Sequence, residues 1–216
     1  MAKIAVELER ALARRAASGA AGGTSGRKLA SGDGWSVADV VCTAGPRDRP
    51  FEERHENFSV AIVTAGSFQY RGPWGLGTER ALMTPGSLLL GSADQCFECG
   101  HEHAAGDRCL SFSYAPEYFE RLAADAGVRG RLEFGVLRLP PLRKLSLLVA
   151  RACSRLAGLA DVSWEELSLE LAARAVQIAR DLPAGTESSP PSAVARVTRV
   201  VREMSGAQTA ISRWGA

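Results

Sequence analysis

From Trp35 the hydrophobic pattern changes period, and short extended candidates separated by turn residues run on to Tyr114. Trp35-Ser-Val-Ala-Asp-Val-Val-Cys-Thr43 reads as a strand that Gly45-Pro46 ends. Residues 51–55 are a second extended candidate, with Glu53 and His55 on one face. Residues 59–65 (SVAIVTA) are the most apolar short strand, Gly66 punctuates, and 67–70 is its expected neighbour. Residues 81–84 and 87–90 flank the turn dipeptide Pro85-Gly86. Residues 96–103 and 108–114 complete a run of about eight short strands, the pattern of a sandwich or small barrel. Residues 72–77 (GPWGLG) are expected to be a loop, because that Gly and Pro density opposes a ladder.

Helical periodicity lies on both sides of this run. In 2–17, Ile4, Leu8 and Leu12 recur at spacing four, with Arg10, Arg14 and Arg15 available to the other side. The stretch 19–26 (GAAGGTSG) reads as a flexible link, so the first helix is expected to be a loosely held arm. After residue 115, Pro116 suits a first helical position and Gly127 the residue past the last, framing a helix over 117–126. Residues 128–138 are a candidate returning strand. Beyond Pro140-Pro141, Leu142, Leu145, Val149, Ala152, Leu156 and Leu159 are spaced as an a/d seam. A second helix starts after Ser163, with Glu166 three residues on as a capping box, and runs to about Asp181. The short ADVS link makes the pair an antiparallel hairpin. Its stripe serves equally as a cap on the strands or as a dimer seam. Residues 193–204 read as one more helix, with valines opposite Arg196, Arg199 and Arg202.

The overall division is therefore 1–30 as arm and linker, 31–138 as the strand domain, 139–185 as the hairpin and 186–216 as a linker with a final helix. A formal net charge of +2 argues against a polyelectrolyte binder. No window is long and apolar enough for a bilayer span, so no membrane partner is expected. The N-terminus lacks the apolar core of a secretion signal, and five cysteines without one point to a reducing cytoplasm.

Chemistry-bearing residues concentrate in 95–114, which holds three of the five cysteines and two of the three histidines. Cys99, His101 and His103 alternate with Gly100 and Glu102, so in an extended segment they share a face. Cys109 could join them after a turn, and Cys96 lies close by in sequence. Thiolate and imidazole are the ligands Zn²⁺ prefers, so Cys96, Cys99, His101, His103 and Cys109 are the candidate metal ligands. The alternative is a hairpin rim with small buried thiols. A Cys96–Cys99 redox pair is a third reading.

Several landmarks then fall in one order: the extended segment 51–55, Gly66-Ser-Phe-Gln-Tyr70, Thr84-Pro-Gly-Ser-Leu-Leu-Leu-Gly91, Cys96-Phe-Glu-Cys-Gly-His-Glu-His103 and Gly106-Asp-Arg-Cys-Leu-Ser-Phe112. This order resembles the cupin-type sensor domain of AraC/XylS-family bacterial transcription regulators. The resemblance covers about 35–126 as a small jelly-roll barrel and extends through the hairpin at 142–182. It implies a mainly β plus α fold, a cupin-like jelly roll followed by an antiparallel helix hairpin. It implies a sensor and not an enzyme, with a small-molecule effector as partner and a homodimer through 142–182. His55, Phe68, Tyr70 and Trp74 are the residues expected to line the effector pocket.

Two departures stand out. Cupin enzymes resemble one another in a His-x-His pair followed by a carboxylate and a third histidine, whereas this chain has Glu53-Arg54-His55 at the matching place. About 25 residues follow Pro191. They match only the opening helix of the family's DNA-binding part, so DNA is a partner only if the rest of that part is present. A cupin metalloenzyme or a metal- or thiol-sensing protein built on the Cys/His cluster is the other functional reading.

Overall fold

The structure is a computed structural model that describes residues 2–74, 77–102, 104–128 and 132–182. The described residues belong to one compact unit. The expected final helix of 193–204 lies outside the described residues.

Helix α1 (Ala2–Ser18) comes first. Strands β1 (Thr24–Gly32), β2 (Trp35–Cys42), β3 (Phe51–Arg54), β4 (Phe58–Gly66), β5 (Phe68–Trp74), β6 (Gly77–Met83), β7 (Leu88–Gly91), β8 (Cys96–Gly100) and β9 (Asp107–Tyr114) follow. Helix α2 (Pro116–Asp125), the two-residue β10 (Arg138–Leu139), α3 (Arg143–Leu156) and α4 (Trp164–Asp181) close the described chain. All pairings are antiparallel, in a six-stranded sheet ordered β1-β2-β9-β4-β7-β10 and a four-stranded sheet ordered β3-β8-β5-β6.

Period-two alternation on β4 and β9 explains how the layers form. Val60, Ile62, Leu110, Phe112 and Tyr114 point out of the six-stranded sheet into a large core shared with α2, α3 and α4. Ala61, Val63 and Cys109 point the other way and meet Phe68, Tyr70, Ala81, Met83 and Cys99 of the facing sheet. The outer core is bulky and aromatic, with Phe58 stacked on Phe119 at 4.5 Å. Rings of this size in close contact add to the stabilisation that burial gives. Tyr114 donates a 2.8 Å hydrogen bond to the Ser168 carbonyl, fixing α4 on the end of β9.

The hairpin spends its apolar stripe on this core. Leu145 and Ala152 of α3 and Leu167, Leu171, Ala175 and Ile178 of α4 are buried in it. The Ser163 hydroxyl accepts from the Glu166 amide at 3.4 Å, so the expected capping position does start α4. Arg151 of α3 ties the helices together through Glu166 and Glu170, at 2.6 Å each. Leu147 and Leu159 stay exposed.

Four local expectations are corrected. First, α1 is not a loose arm. Ile4 and Leu8 are buried against Ala65 and Cys153. Arg108 donates to the Ile4 carbonyl at 3.0 Å, and Arg15 bridges to Asp48 at 2.7 Å. Second, part of the expected link, Thr24–Gly26, belongs to β1, which pairs with β2 from Thr24↔Cys42 to Gly32↔Trp35. β1 is an edge strand with little burial, so its ladder needs no apolar alternation that a sequence could show. Third, the ladder between β5 and β6 runs through Gly72↔Glu79, Pro73↔Thr78 and Trp74↔Gly77. Pairing of β5 with β8 stops at Arg71, so Pro73 sits where one side of its strand is unpaired and its missing N–H costs no bond there. Fourth, among the described residues the expected returning strand 128–138 is replaced by the two-residue Arg138–Leu139, which pairs with β7.

Candidate functional site

The barrel interior is lined along β9 by Asp107, Cys109 and Ser111, and along β4 by Ser59 and Ala61. These side chains are small, so the two sheets do not fill the space between them. A cavity of about 250 Å³ results, walled on the facing side by Phe51, Phe68 and Phe97. Apolar walls with a few placed polar groups are the usual make-up of a small-molecule site.

At one end of the cavity stands His55, immediately after β3. Its backbone is fixed on both sides: its N–H donates to Gln95 O at 2.9 Å, and its carbonyl accepts from Asp94 N at 2.7 Å. The ring stacks on Phe97 at 4.2 Å, and Nε2 is 2.7 Å from the Tyr70 hydroxyl. Gly91 makes room for it, since a Cβ there would lie 2.2 Å from Nε2. Burial pushes the imidazole down to about 4, because the charged form loses its water. Burial likewise raises the Tyr70 phenol, with the nearby Cys99 adding to the effect. The pair is therefore a neutral hydrogen bond at ordinary pH, suited to binding a polar group and not to holding a charge. His55 also borders a shallow depression of about 500 Å³ with Glu53, Asn57 and Ser113, which gives the cavity a route to the surface.

Toward the other end of the same strands lies a buried cluster. Ser59 pairs with Ser113, whereas Gly66 pairs with Asp107, so β4 and β9 carry the two groups at opposite ends. His101 Nε2 is 2.7 Å from Asp107 Oδ2, and the Cys109 thiol donates to Asp107 Oδ1 at 3.3 Å. Cys42 faces Asp107 across the β2–β9 register. Donor atoms of Cys42, His101 and Asp107 lie within 4.8 Å of one another, and all three residues are buried. Burial raises the Cys42, Cys99 and Cys109 thiols, and in each case the Asp107 charge adds to it. Gly66, at φ +77°, lets the β4 end approach this strand: a Cβ there would meet Gly106 O at 2.2 Å and Asp107 Cα at 2.5 Å. On the other side, Leu8 and Leu12 of α1 close against Gly106.

Of the expected pocket residues, Phe68 and His55 line the cavity, and Tyr70 stands behind His55 as its partner. The side chain of Trp74 lies outside the described residues. Of the expected metal ligands, Cys99, His101 and Cys109 are buried on the inner side, while Cys96 is exposed at the start of β8 opposite Arg54. His103 lies outside the described residues. Cys96 and Cys99 are three apart on one strand, hence on opposite faces, which removes the geometry for a disulfide between them. Sequence reasoning missed Cys42, Asp107, Phe97 and Gly91. Cys42 and Asp107 stand 65 positions apart and meet only through the β2–β9 register.

At Glu53-Arg54-His55, where the family resemblance would put a metal, the residues do not fit one. Glu53 is exposed, the His55 Nε2 is taken by Tyr70, and the group of three donors among the described residues lies elsewhere.

No family model matches the chain, and no curated protein matches it. Solved structures do. Hydroxypropylphosphonic acid epoxidase from S. wedmorenis is 9% identical with a TM-score of 0.38, over 42% of this chain and 50% of that one. A cupin superfamily protein from Desulfitobacterium hafniense is 11% identical at 0.35, over 44% and 81%. An ethanolamine utilization protein Q from Salmonella typhimurium is 13% identical at 0.35, over 42% and 68%. This chain thus spans about half the length of the epoxidase. By its own strand order and two facing antiparallel sheets, the domain is a cupin-type jelly-roll barrel followed by helices.

Proposed function

We propose that the chain is the effector-sensing part of an AraC/XylS-type transcription regulator, with a small, mostly apolar molecule held in the barrel cavity by a polar handle on His55. One observation carries this reading. Strand β9 lines the cavity through Ser111 and, one residue on, contacts α4 through Phe112, whose ring meets Trp164 edge-on at 6.4 Å. A ligand that shifts Ser111 therefore pushes on the helices that follow the barrel. Small displacements are passed on by packed elements because such packing is close to incompressible.

The neutral His55–Tyr70 pair supports binding over catalysis, since a general base needs a pKa near working pH. In this reading the helices of 142–182 also join two copies, through the apolar side chains that the core leaves outside. The protein works in a reducing cytoplasm. Among the described residues, no helix is long and apolar enough to cross a membrane.

The test is a titration of the full chain with a panel of small aromatic and short-chain compounds carrying one hydroxyl or carbonyl. Melting temperature and tryptophan fluorescence are the readouts. A hit should raise both signals and should weaken in Phe97→Ala and His55→Ala. A silent panel, or a hit equally strong in both variants, would overturn the proposal.

A further inference from the structure

We infer that Cys42, His101 and Asp107, with the Cys109 thiol beside Asp107, form a buried binding site for a Zn²⁺-class ion at the α1-capped end of the barrel. The inference does not rest on the effector reading, which concerns the His55 end.

Burial is the first ground. Cys42 is 4% exposed, and His101 and Asp107 are 5% exposed each. Polar groups in such a place cost stability unless each finds partners. Here the partnership is incomplete: the Nδ1 of His101 is buried and has no hydrogen-bond partner. That orphan belongs to a residue whose other ring nitrogen already bonds Asp107.

Donor type is the second ground. Sulfur, imidazole nitrogen and carboxylate oxygen together suit Zn²⁺, whereas Ca²⁺ and Mg²⁺ take oxygen. The three donor atoms already lie within 4.8 Å of one another, so small rotations bring them around one ion. Cys109 stands beside them, its thiol 3.3 Å from Asp107 Oδ1.

Enclosure is the third. Asp107 and Cys42 sit on directly paired strands. The Gly66 approach and the Leu8 and Leu12 side chains hold the turn into Asp107. Cys42, Asp107 and Cys109 also border the cavity, which supplies a path for the ion. Thiol and imidazole donors buried beneath a helix are the make-up of a structural or sensing ion's site.

The probe is Co²⁺, titrated into the full chain after chelator has stripped any resident metal and has been removed, followed by displacement with Zn²⁺. We expect one equivalent of Co²⁺ to give a thiolate-to-cobalt charge-transfer band and tetrahedral d–d bands, both lost on adding Zn²⁺. Cys42→Ser and Asp107→Asn should each weaken Co²⁺ binding by about tenfold or more, while Cys96→Ser leaves it unchanged. X-ray absorption at the zinc edge of the unaltered protein should show a mixed sulfur and nitrogen/oxygen shell. This keeps the inference testable if the variants fail to fold. Absence of the charge-transfer band, an all-nitrogen/oxygen shell, or equal affinity in folded Cys42→Ser and Asp107→Asn would overturn it. Failure here leaves the His55 cavity untouched, and a silent effector panel leaves this site untouched.

Discussion

Two buried carboxylates stand either side of the β2–β9 seam, and the chain treats them differently. Asp39 faces outward beneath α1. Arg108 grips it bidentately, with Nε to Oδ1 and NH2 to Oδ2 at 2.8 Å each, and Arg27 adds a third contact at 3.1 Å. Burial alone would raise its carboxyl, but the hydrogen bonds and charges of Arg108 and Arg27 together outweigh it and hold the group below the usual range. Asp107 faces inward, and among the described residues its oxygens are held by a histidine and a thiol. Neighbouring residues 107 and 108 thus divide the work by pleat alone. A buried anion locked by two guanidiniums is a structural fixture, because both of its oxygens are already paired. A buried anion among ligand-type side chains has room to change partners.

The largest effect that would test this contrast comes from Arg108→Ala. It leaves Asp39 buried with a weaker partner and frees the Ile4 carbonyl that anchors α1. A loss of about 3–5 kcal/mol in denaturant unfolding is expected. A loss under about 1 kcal/mol would erase the distinction between the two carboxylates.

Next is pH. The His55 imidazole titrates near 4 in the folded chain and near 6.5 when unfolded. The unfolded chain then takes up the proton first, so stability is full above 6.5 and declines as pH falls from 6.5 to 4. The decline should reach up to about 3 kcal/mol and should vanish in His55→Gln. Asp39 acts lower: its contribution is present above its unfolded value of 3.8 and is lost as pH falls further, through its lower folded value. Melting curves at stepped pH separate the two regions, since one responds before the other.

Gly91→Ala comes third. Its methyl would press on the His55 ring, 2.2 Å from Nε2, and must break the stack on Phe97 or the bond to Tyr70. A cost of about 1–3 kcal/mol is expected, the range for overpacking, together with loss of any ligand-induced shift in melting temperature. The smallest effect belongs to Asp107→Asn. Removing a buried charge that has no guanidinium partner among the described residues should change metal-free stability by less than about 1 kcal/mol in either direction. Asp39→Asn should cost more, and a reversed order would refute the comparison.

Much of the framework was legible beforehand because it depends on local periodicity. The strands from Trp35 to Tyr114, the helix after Pro116 and the Ser163 cap follow from alternation, a fixed φ and a side-chain acceptor. His55 and Phe68 were expected at a pocket from the family resemblance, and both border the cavity. What could not be read was anything carried by exposed backbone or by distant pairing. β1 has no apolar face to betray it, and the Gly/Pro run 72–77 continues a ladder because half of that strand has no second neighbour.

By itself, then, the sequence determined the alternation of β4 and β9, and with it a barrel with one bulky face for helices and one small, polar face turned inward. It could do so because the side-chain period of a strand is a property of the covalent chain. Only the tertiary structure decided that Cys42 meets Asp107, that α1 seals that end, and that His55 loses its charge. Register and burial are set by the sum of contacts from both sheets, and no single segment contains that sum.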